Sequence, residues 1–274
     1  MVEGNLIKMA IEPGEQAAYT LRLSDHRVVL NDYLGKTVKL TFNNVINCTH
    51  CGRVTKKSYS QGYCYPCSQK LAACDICIVR PEKCHYEQGT CREPEWAQQH
   101  CFQPHYVYLA NSSGIKVGIT RHTQVPTRWL DQGAEQALPI YRVANRYISG
   151  LVETNIKAYV TDRTDWRKML KGSAEPVSLE AFRDDLYEKD AAMELELIEQ
   201  FGPDAIERLG SETSQDFCYP VQQYPTKVSS LGFDKMAEIS GMLKGIKGQY
   251  LILDKGVLNL RKHTGYHIKF EVAS

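Results

Sequence analysis

Cysteine pairs give the clearest chemical signal in this sequence. Eight of the ten cysteines lie between residues 48 and 91, and the first four form two Cys-x2-Cys pairs separated by twelve residues: Cys48, Cys51, Cys64 and Cys67. The two thiolates of such a pair point to one metal ion, and two pairs complete a tetrahedron. Gly52, directly after the first pair, permits a tight turn. We therefore predict a structural Zn²⁺ site, which is closed and performs no catalysis.

The next four cysteines are spaced less regularly: Cys74, Cys77, Cys84 and Cys91. One Cys-x2-Cys pair is followed by two single cysteines, each after six other residues. The pattern predicts a second Zn²⁺, with Cys84 and Cys91 as the third and fourth ligands. Four further side chains nearby are competing ligands: His85, His100, Cys101 and His105. An iron–sulfur cluster is the main alternative occupant, because four thiolates suit either kind of centre.

A different kind of chemistry is indicated between residues 105 and 159. Two side chains here, beside an aromatic hairpin, could together hold a phosphate and a divalent cation: Arg128 and Glu153. An arginine binds phosphate oxygens through paired N–H donors, and a carboxylate is a ligand for Mg²⁺. The fold must then bring these residues together from separate elements.

Local patterns predict which elements carry these side chains. Residues 106–109 alternate and are aromatic and β-branched, which favours a strand. Residues 115–119 favour a returning strand after a polar turn at 111–114. Pro126 begins a predicted helix that carries the arginine. A second predicted helix, about residues 144–159, carries the glutamate.

These residues resemble, in order and in kind, those of the GIY-YIG nuclease domain. Tyr106-Val107-Tyr108 stands where that family has its first tripeptide, and Lys116-Val117-Gly118 stands where it has the second. Arg121 follows at a position where members often carry a basic residue. Arg128-Trp129 resembles the family's helical arginine pair, and the run from Leu151 to Lys157 resembles its helix with a metal-binding glutamate. The resemblance covers about a fifth of the chain.

The resemblance implies a metal-dependent phosphodiesterase. Glu153 would hold Mg²⁺ or Mn²⁺, and Arg128 would contact the scissile phosphate and stabilise the developing charge. Tyr106 or Tyr108 would orient or deprotonate the attacking water. A free tyrosine has a pKa near ~10, so a base role requires help. Lys116 would lower that pKa if it lay across from Tyr108.

The chain departs from the GIY-YIG pattern at two positions. The first glycine of the first tripeptide is absent, and Lys116 stands where the second tyrosine is expected. The whole chain also resembles an uncharacterised bacterial family, domain-of-unknown-function family 2797. Five segments carry this second resemblance: GTCREPEW, KVGIT, PTRW, DQGA and GIKGQYLIL. It implies no particular activity, so the functional prediction rests on the cysteines and on the GIY-YIG-like core.

Composition favours a soluble globular protein over a membrane-spanning or secreted one. Hydrophobic content is 43% and charged content 24%, as in soluble globular proteins. No apolar run is long enough to cross a membrane, and the first fifteen residues lack a signal-peptide core. We therefore expect a cytoplasmic protein, in which zinc sites are favoured over disulfides.

The net charge of +1 hides a local asymmetry. Residues 116–171 carry ten Lys/Arg against five Asp/Glu, and residues 182–207 carry two against nine. A basic face of this kind suits nucleic acid, although ordinary solvated helix faces are an alternative interpretation. Basic and aromatic residues also alternate near the C-terminus, a composition that suits single-stranded nucleic acid.

We predict an α+β fold in five segments. They are an N-terminal β segment (1–47), a double zinc-binding module of zinc-ribbon type (48–104), a GIY-YIG-like domain of a hairpin plus helices (105–172), a helical and loop connector (173–230) and a C-terminal β segment resembling a small barrel (231–274). The two terminal segments are expected to pack together, because a few short strands cannot bury a core alone.

These observations predict a zinc protein that acts on nucleic acid, with metal-dependent endonuclease activity as the first hypothesis. The alternatives are a non-catalytic DNA- or RNA-binding module and a zinc-stabilised scaffold of a larger complex. No membrane partner is expected. The sequence leaves open whether DNA or RNA is bound, and it leaves the oligomeric state open.

Overall fold

The computed structural model describes residues 1–272. The strands, numbered in chain order, are β1 (Val2–Glu12), β2 (Ala18–Leu23), β3 (His26–Val29), β4 (Thr37–Asn47), β5 (Val54–Thr55), β6 (His105–Asn111), β7 (Ile115–Arg121), β8 (Gln136–Val143), β9 (Ile206–Arg208), β10 (Gln215–Asp216), β11 (Ser230–Leu231), β12 (Glu238–Lys247), β13 (Tyr250–Leu253), β14 (Gly256–Asn259) and β15 (Tyr266–Val272). The α-helices are α1 (Tyr65–Lys70), α2 (Pro94–His100), α3 (Thr127–Asp131), α4 (Arg146–Ile156), α5 (Trp166–Met169), α6 (Leu179–Lys189) and α7 (Ala191–Phe201). Short 3₁₀ helices lie at Asn31–Tyr33, Ala72–Cys74, Ile76–Ile78, Pro81–Lys83, His122–Gln124 and Arg261–His263. This content confirms the α+β class.

A ten-stranded sheet is built from both ends of the chain. Its order is β11-β14-β13-β12-β4-β15-β1-β2-β3, with β5 paired to β4. Strand β15 hydrogen-bonds with both β1 and β4, so the N-terminal and C-terminal strands interleave. Alternate residues point into one core, as in β2, where Tyr19, Leu21 and Leu23 are all fully buried. The two ends of the chain therefore share one hydrophobic core.

Strands β1–β4 and β12–β15 form two copies of one structural unit. Each copy has a long strand, two short strands, a 3₁₀ helix and a final strand, in that order. The sheet order from β14 to β3 is unchanged when the two copies are exchanged about the central β4–β15 pair. The sheet therefore has an internal two-fold relation that sequence patterning does not predict.

Equivalent hydrogen bonds support this correspondence. The backbone N–H of Gly35 donates to Leu243 O at 2.8 Å, and the backbone N–H of Gly265 donates to Leu6 O at 2.8 Å. Both glycines follow the 3₁₀ helix of their unit and have positive φ, 78° for Gly35 and 90° for Gly265. Glycine adopts this conformation without steric cost, so the same residue type recurs at the same turn.

A second sheet contains the predicted hairpin of β6 and β7. Its order is β10-β8-β6-β7, with β9 paired to β8, so β7 lies at an edge. Helices α4, α6 and α7 pack against one face, around side chains such as Val107, Leu109 and Val152. Helix α3 packs against the other face, where Trp129 contacts Tyr108.

The second core extends beyond the predicted hairpin and its two helices. Residues 173–230, predicted as a connector, supply α6, α7 and β9 to this core, and the exposed strand β10 pairs with β8 in its sheet. Sequence patterning also does not predict β8, because Pro139 lacks the N–H that a central strand needs. The β6–β8 register shifts between Val107 and Tyr108, and Tyr108 lies opposite Pro139. The register shift lies beside Pro139 and so accommodates the backbone N–H that this proline lacks.

The cysteine-rich module, residues 48–104, contains short helices and the two-residue strand β5, and its 3₁₀ helix Pro81–Lys83 packs on α4. Gly150 permits this contact, because a Cβ at that position would lie 2.6 Å from the backbone N of Glu82. The N-terminal part of α4 is therefore held against the module. Within residues 1–272, no helix is both long and apolar enough to span a bilayer.

Candidate functional site

The first cysteine site is assembled by two turns between β4 and α1. Cys48 and Cys51 belong to the turn between β4 and β5, while Cys64 caps α1 and Cys67 lies in its first turn. All four sulfur atoms lie within 4.8 Å of one another, close enough to bind one tetrahedral metal ion. Gly52 makes the adjoining turn with a φ of +70°, as the sequence predicts. This cluster could hold Zn²⁺.

Backbone N–H groups favour the thiolate form of Cys48, whereas burial and the neighbouring thiols raise the pKa of Cys67 to about 12. Burial alone would raise the pKa of Cys48, but hydrogen bonds from the backbone of Cys51, Cys64 and His50 lower it to about 6. The thiolate is the form that binds metal. All ten cysteines of the chain have free thiols, so the cluster is not occupied by disulfides.

The second predicted set of cysteines is arranged differently. Cys77 lies with Asp75 and His85, and their ligand atoms are within 4.8 Å of one another, so this group could also hold a metal ion. Cys74 belongs neither to this group nor to the first cluster. The structure therefore separates Cys74 from Cys77, although they form one Cys-x2-Cys pair in the sequence.

A cleft of about 450 Å³ runs along the edge strand β7. Residues 117–121 of this strand form one wall, and the other walls come from α3, α4, the cysteine-rich module and the 3₁₀ helix Arg261–His263. Its charged lining residues are Arg121, Arg128, Arg146, Arg261, Glu153 and Asp162. Four guanidinium groups face two carboxylates, so the cleft is basic.

Arg128 and Glu153, both predicted as site residues, meet in this cleft. They come from helices that pack on opposite faces of the sheet, and the edge strand lies between them. Helix α4 begins at a cap in which the Asn145 side chain accepts a hydrogen bond from Ile148 N at 3.0 Å. Burial of Val152 against the sheet then leaves Glu153 at the edge of the helix, beside β7.

Lys157 partly neutralises the two carboxylates of the cleft. Its Nζ lies 3.3 Å from Glu153 Oε2 and 3.1 Å from Asp162 Oδ2. The segment carrying Asp162 is fastened to β7 by a hydrogen bond of 2.9 Å from Val117 N to Thr161 O. Burial raises the pKa of Glu153 despite the nearby ammonium. At Asp162 burial acts in the same direction, but the hydrogen bond and charge of Lys157, a backbone hydrogen bond and the charge of Arg163 together lower the pKa.

Gln132 is fixed in the cleft by two hydrogen-bond donors. Its Oε1 accepts from the Tyr108 hydroxyl at 3.0 Å and from Lys116 Nζ at 2.5 Å. Because the amide oxygen is occupied, the NH₂ group is left to donate toward the cleft that Gln132 lines. Gly118 lies opposite Tyr108 in the ladder, and a Cβ there would be 2.6 Å from the tyrosine oxygen. Glycine therefore makes room for the tyrosine ring.

The tyrosines and Lys116 do not take the positions expected for an activated tyrosine. Tyr108 is fully buried, and burial raises its pKa although Arg128 acts in the opposite direction. Lys116 lies opposite Ala110 rather than Tyr108, and its own pKa is lowered to about 7, first by burial and then by Arg128. Tyr106 lies outside the cleft lining. The geometry does not favour a tyrosinate base.

Comparison with known protein families gives a match over most of the chain. The family described as "Protein of unknown function (DUF2797)" matches residues 35–268. The chain belongs to this family. The matched region contains every residue of the cleft and all ten cysteines. No curated protein and no solved structure gives a significant match.

The sequence-based prediction misses several residues of the cleft, among them Gln132, Arg146, Asp162 and Arg261. Arg146 precedes Glu153 by seven residues, which puts the two on one helix face two turns apart, so helical spacing alone could have indicated it. Arg261 reaches the cleft from the second copy of the β unit. No local pattern connects that residue to the hairpin.

Proposed function

We propose that the cleft binds a phosphodiester of DNA or RNA and hydrolyses it with the help of a divalent cation. The observation that carries this proposal is the meeting of Arg128 and Glu153 in one basic cleft beside an aromatic hairpin. The order and kinds of these residues, which resemble the GIY-YIG nuclease domain, support it. Membership of a family of unknown function neither favours nor opposes this activity.

The basic side chains suit a bridging phosphate. Arg128, Arg121 and Arg146 reach the cleft from α3, β7 and α4, so they approach a bound anion from different sides. Guanidinium groups bind phosphate oxygens through paired hydrogen bonds, and the Gln132 amide adds a neutral donor. Such donors stabilise the negative charge that develops as phosphorus is attacked. Contacts to the backbone carry no base information, so we expect little sequence preference.

The carboxylates of the cleft fit a small divalent cation. Glu153 and Asp162 each have an oxygen within 3.3 Å of the same Lys157 ammonium, so both carboxylates face a common point. Mg²⁺ and Mn²⁺ are commonly bound by one or two carboxylates together with water and substrate phosphate. Such an ion supplies Lewis-acid polarisation of the phosphoryl oxygen and lowers the pKa of bound water.

Side chains of the protein account for the remaining requirements of hydrolysis. The arginines hold the phosphate, and Gln132, fixed by Tyr108 and Lys116, orients it. The water oxygen forms a bond to phosphorus while one P–O ester bond breaks. The proton of the water passes to a carboxylate of the cleft, and the leaving oxygen takes a proton from solvent.

A non-catalytic nucleic-acid-binding module is the second candidate, and the position of Lys157 favours it. Its ammonium already pairs with Glu153 and Asp162, so the cleft is basic without a metal ion. A cleft of this kind would bind a phosphate backbone and leave it intact. The two candidates differ in their dependence on Mn²⁺, which only cleavage requires.

We also propose that the four-cysteine cluster of Cys48, Cys51, Cys64 and Cys67 holds a structural Zn²⁺. The surrounding module contains short helices and the two-residue strand β5, and it contributes few residues to the two large hydrophobic cores. Metal binding supplies folding free energy that so small a module otherwise lacks. The ion would thereby fix the module against α4 and the cleft.

The test is a combined cleavage and binding assay with purified protein. Labelled single-stranded, duplex and branched DNA and structured RNA are incubated with Mn²⁺ or EDTA. The proteins compared are wild type, Glu153→Gln and the control Arg163→Ala, which removes a basic side chain that is 90% exposed and lies outside the cleft lining.

Cleavage that requires Mn²⁺, persists in Arg163→Ala and is lost in Glu153→Gln supports the nuclease. Binding by all three proteins without cleavage supports the binding module instead. If wild-type protein neither binds nor cleaves any of these nucleic acids, the proposal for this cleft is wrong.

A further inference from the structure

Three cysteines surround a small cavity beside the N-terminus of α4. The cavity has a volume of about 20 Å³, and Cys77, Cys84 and Cys101 all contribute to its lining. Space of this size holds about one water molecule, and therefore one metal ion. Two of these residues belong to the 3₁₀-helical segment of the module, whereas Cys101 follows α2.

Cys91 is tied to the same region by its two neighbours in the sequence. The Thr90 hydroxyl lies 2.7 Å from Nδ1 of His85, the residue directly after Cys84. Arg92 forms an ion pair of 2.7 Å with Asp75, which precedes Cys77 by two residues. The chain on both sides of Cys91 is thus fastened to the segments that carry the other thiols.

Cys101 is held at the cavity by contacts on both sides of it. The adjacent Phe102 packs edge-to-face on Tyr86, with ring centroids 4.5 Å apart. Gln98 on α2 donates a hydrogen bond of 2.6 Å to the hydroxyl of the same tyrosine. The backbone N–H of Arg146 donates to Cys101 O at 2.9 Å. These contacts join the end of α2 to the Cys84 loop and to α4.

We propose that Cys77, Cys84, Cys91 and Cys101 bind a second Zn²⁺ through four thiolates. Six, six and nine residues separate these cysteines along the chain, so the set contains no Cys-x2-Cys pair. Sequence spacing therefore favours Cys74, whereas the fold favours Cys101. Among residues 1–272, these four sulfur atoms do not form a group within 4.8 Å of one another, so the side chains must close on the ion to reach the Zn–S distance of ~2.3 Å.

Other side chains near Cys77 are engaged elsewhere. Cys74 is not among the residues whose ligand atoms converge with that of Cys77. Asp75 accepts a hydrogen bond of 2.6 Å from the next backbone N–H, in addition to its ion pair. Both ring nitrogens of His85 have partners, since Nδ1 lies 2.7 Å from the Thr90 hydroxyl and Nε2 lies 3.4 Å from Asp75 Oδ2. Asp75 and His85 thus hold the loops together, which leaves the thiols as metal ligands.

The charge of a four-thiolate zinc centre has a counterion in the structure. Four thiolates and Zn²⁺ together carry a charge of −2. The guanidinium of Arg146 lines the cavity, and its Nε is buried without a hydrogen-bond partner among residues 1–272. A buried cation of this kind is stabilised by an anionic centre beside it. Because Arg146 also lines the cleft, the second zinc would hold a phosphate-binding side chain in position, a consequence that rests on the proposed function.

The test uses the wild-type protein as purified, so it does not depend on the folding of a variant. Elemental analysis counts the metal ions per chain. An alkylating reagent is applied under native conditions, and peptide mass spectrometry identifies which thiols have reacted. We expect two Zn²⁺ per chain, alkylation of Cys74 and Cys218, and protection of Cys101 that is lost when a zinc chelator is added. Three results would overturn the proposal. They are a content of only one Zn²⁺ per chain, iron with acid-labile sulfide as the second metal, and protection of Cys74 together with alkylation of Cys101.

Three single variants give an independent test of the ligands. Cys101→Ser should lose one of the two zinc ions, while Cys74→Ser and His85→Ala should keep both. Loss of one zinc from Cys74→Ser or from His85→Ala, with both retained by Cys101→Ser, would contradict the assignment. If Cys101→Ser yields no folded protein, the alkylation pattern of the wild type decides the question.

Discussion

Lys116 is a buried cation whose replacement should make the protein more stable. Lys116 is only 4% exposed. Its ammonium donates a hydrogen bond of 2.5 Å to Oε1 of Gln132, a neutral amide. Burial lowers the pKa of Lys116 to about 7, and Arg128 adds to this effect, while Asp162 and Glu153 oppose it. We therefore predict that Lys116→Met stabilises the fold.

The expected gain follows from this pKa. The lysine pKa is ~10.4 in an unfolded chain, and each pKa unit corresponds to ~1.36 kcal/mol, so charging Lys116 in the fold costs about 4–5 kcal/mol. Loss of its hydrogen bond offsets about 1 kcal/mol. Between pH 7 and pH ~10.4 the unfolded state binds more protons, so wild-type stability rises with pH in this window. Lys116→Met should gain about 3 kcal/mol at pH 6, and the gain should shrink toward pH ~10.

The assay is urea denaturation at pH 6 and pH 9, with Lys247→Met as the matched control. Lys247 is fully buried too, but its ammonium is ion-paired with Glu135. Its removal leaves that carboxylate unpaired and should cost about 3–5 kcal/mol. If Lys116→Met destabilises the protein as Lys247→Met does, or if its gain is the same at both pH values, the reasoning about Lys116 is wrong. Because Gln132 loses a donor that fixes it, the stabilised variant should also bind nucleic acid more weakly.

Cys48→Ser should release about one zinc ion per chain and reduce the soluble yield, and an unchanged metal content by elemental analysis would contradict the ligand set. Gly118→Ala should cost about 1–3 kcal/mol, because the added methyl meets the Tyr108 hydroxyl; an unchanged melting curve would show that the ring is free to move. Lys157→Met should lower the Mn²⁺ concentration needed for half-maximal cleavage, because Glu153 loses a competing cation; a higher requirement would show that the lysine assists metal binding.

Local sequence patterns are sufficient for several parts of this molecule. The spacing of the first four cysteines predicts a cluster that the fold assembles from two turns. Alternating residues predict β6 and β7, and a proline followed by a helical pattern predicts α3. The predicted pair of Arg128 and Glu153 lies in one cleft, because each is carried by a helix that packs beside the hairpin.

Features that depend on strand pairing between distant parts of the chain could not be predicted from local sequence patterns. The two β units share a turn glycine, Gly35 and Gly265, and scattered identities such as Leu30 and Leu260, which are too few to reveal the repeat from sequence alone. Arg261 enters the cleft from the second unit, and its role depends on how the two ends of the chain interleave. The Cys-x2-Cys spacing favours Cys74 as a ligand. Cys101 instead lines the small cavity beside α4, where tertiary contacts place it.

The most direct test of the central claim compares Arg128→Ala with Glu153→Gln. Binding isotherms are measured at several salt concentrations with the nucleic acid that wild type binds best, together with the melting temperature of each variant. Loss of a phosphate contact should weaken binding by Arg128→Ala and reduce the salt slope by about 1. Loss of a negative charge should leave binding by Glu153→Gln equal or tighter, while cleavage is abolished. Equal affinities for both variants and wild type, at unchanged melting temperatures, would show that neither residue faces nucleic acid and would contradict the account.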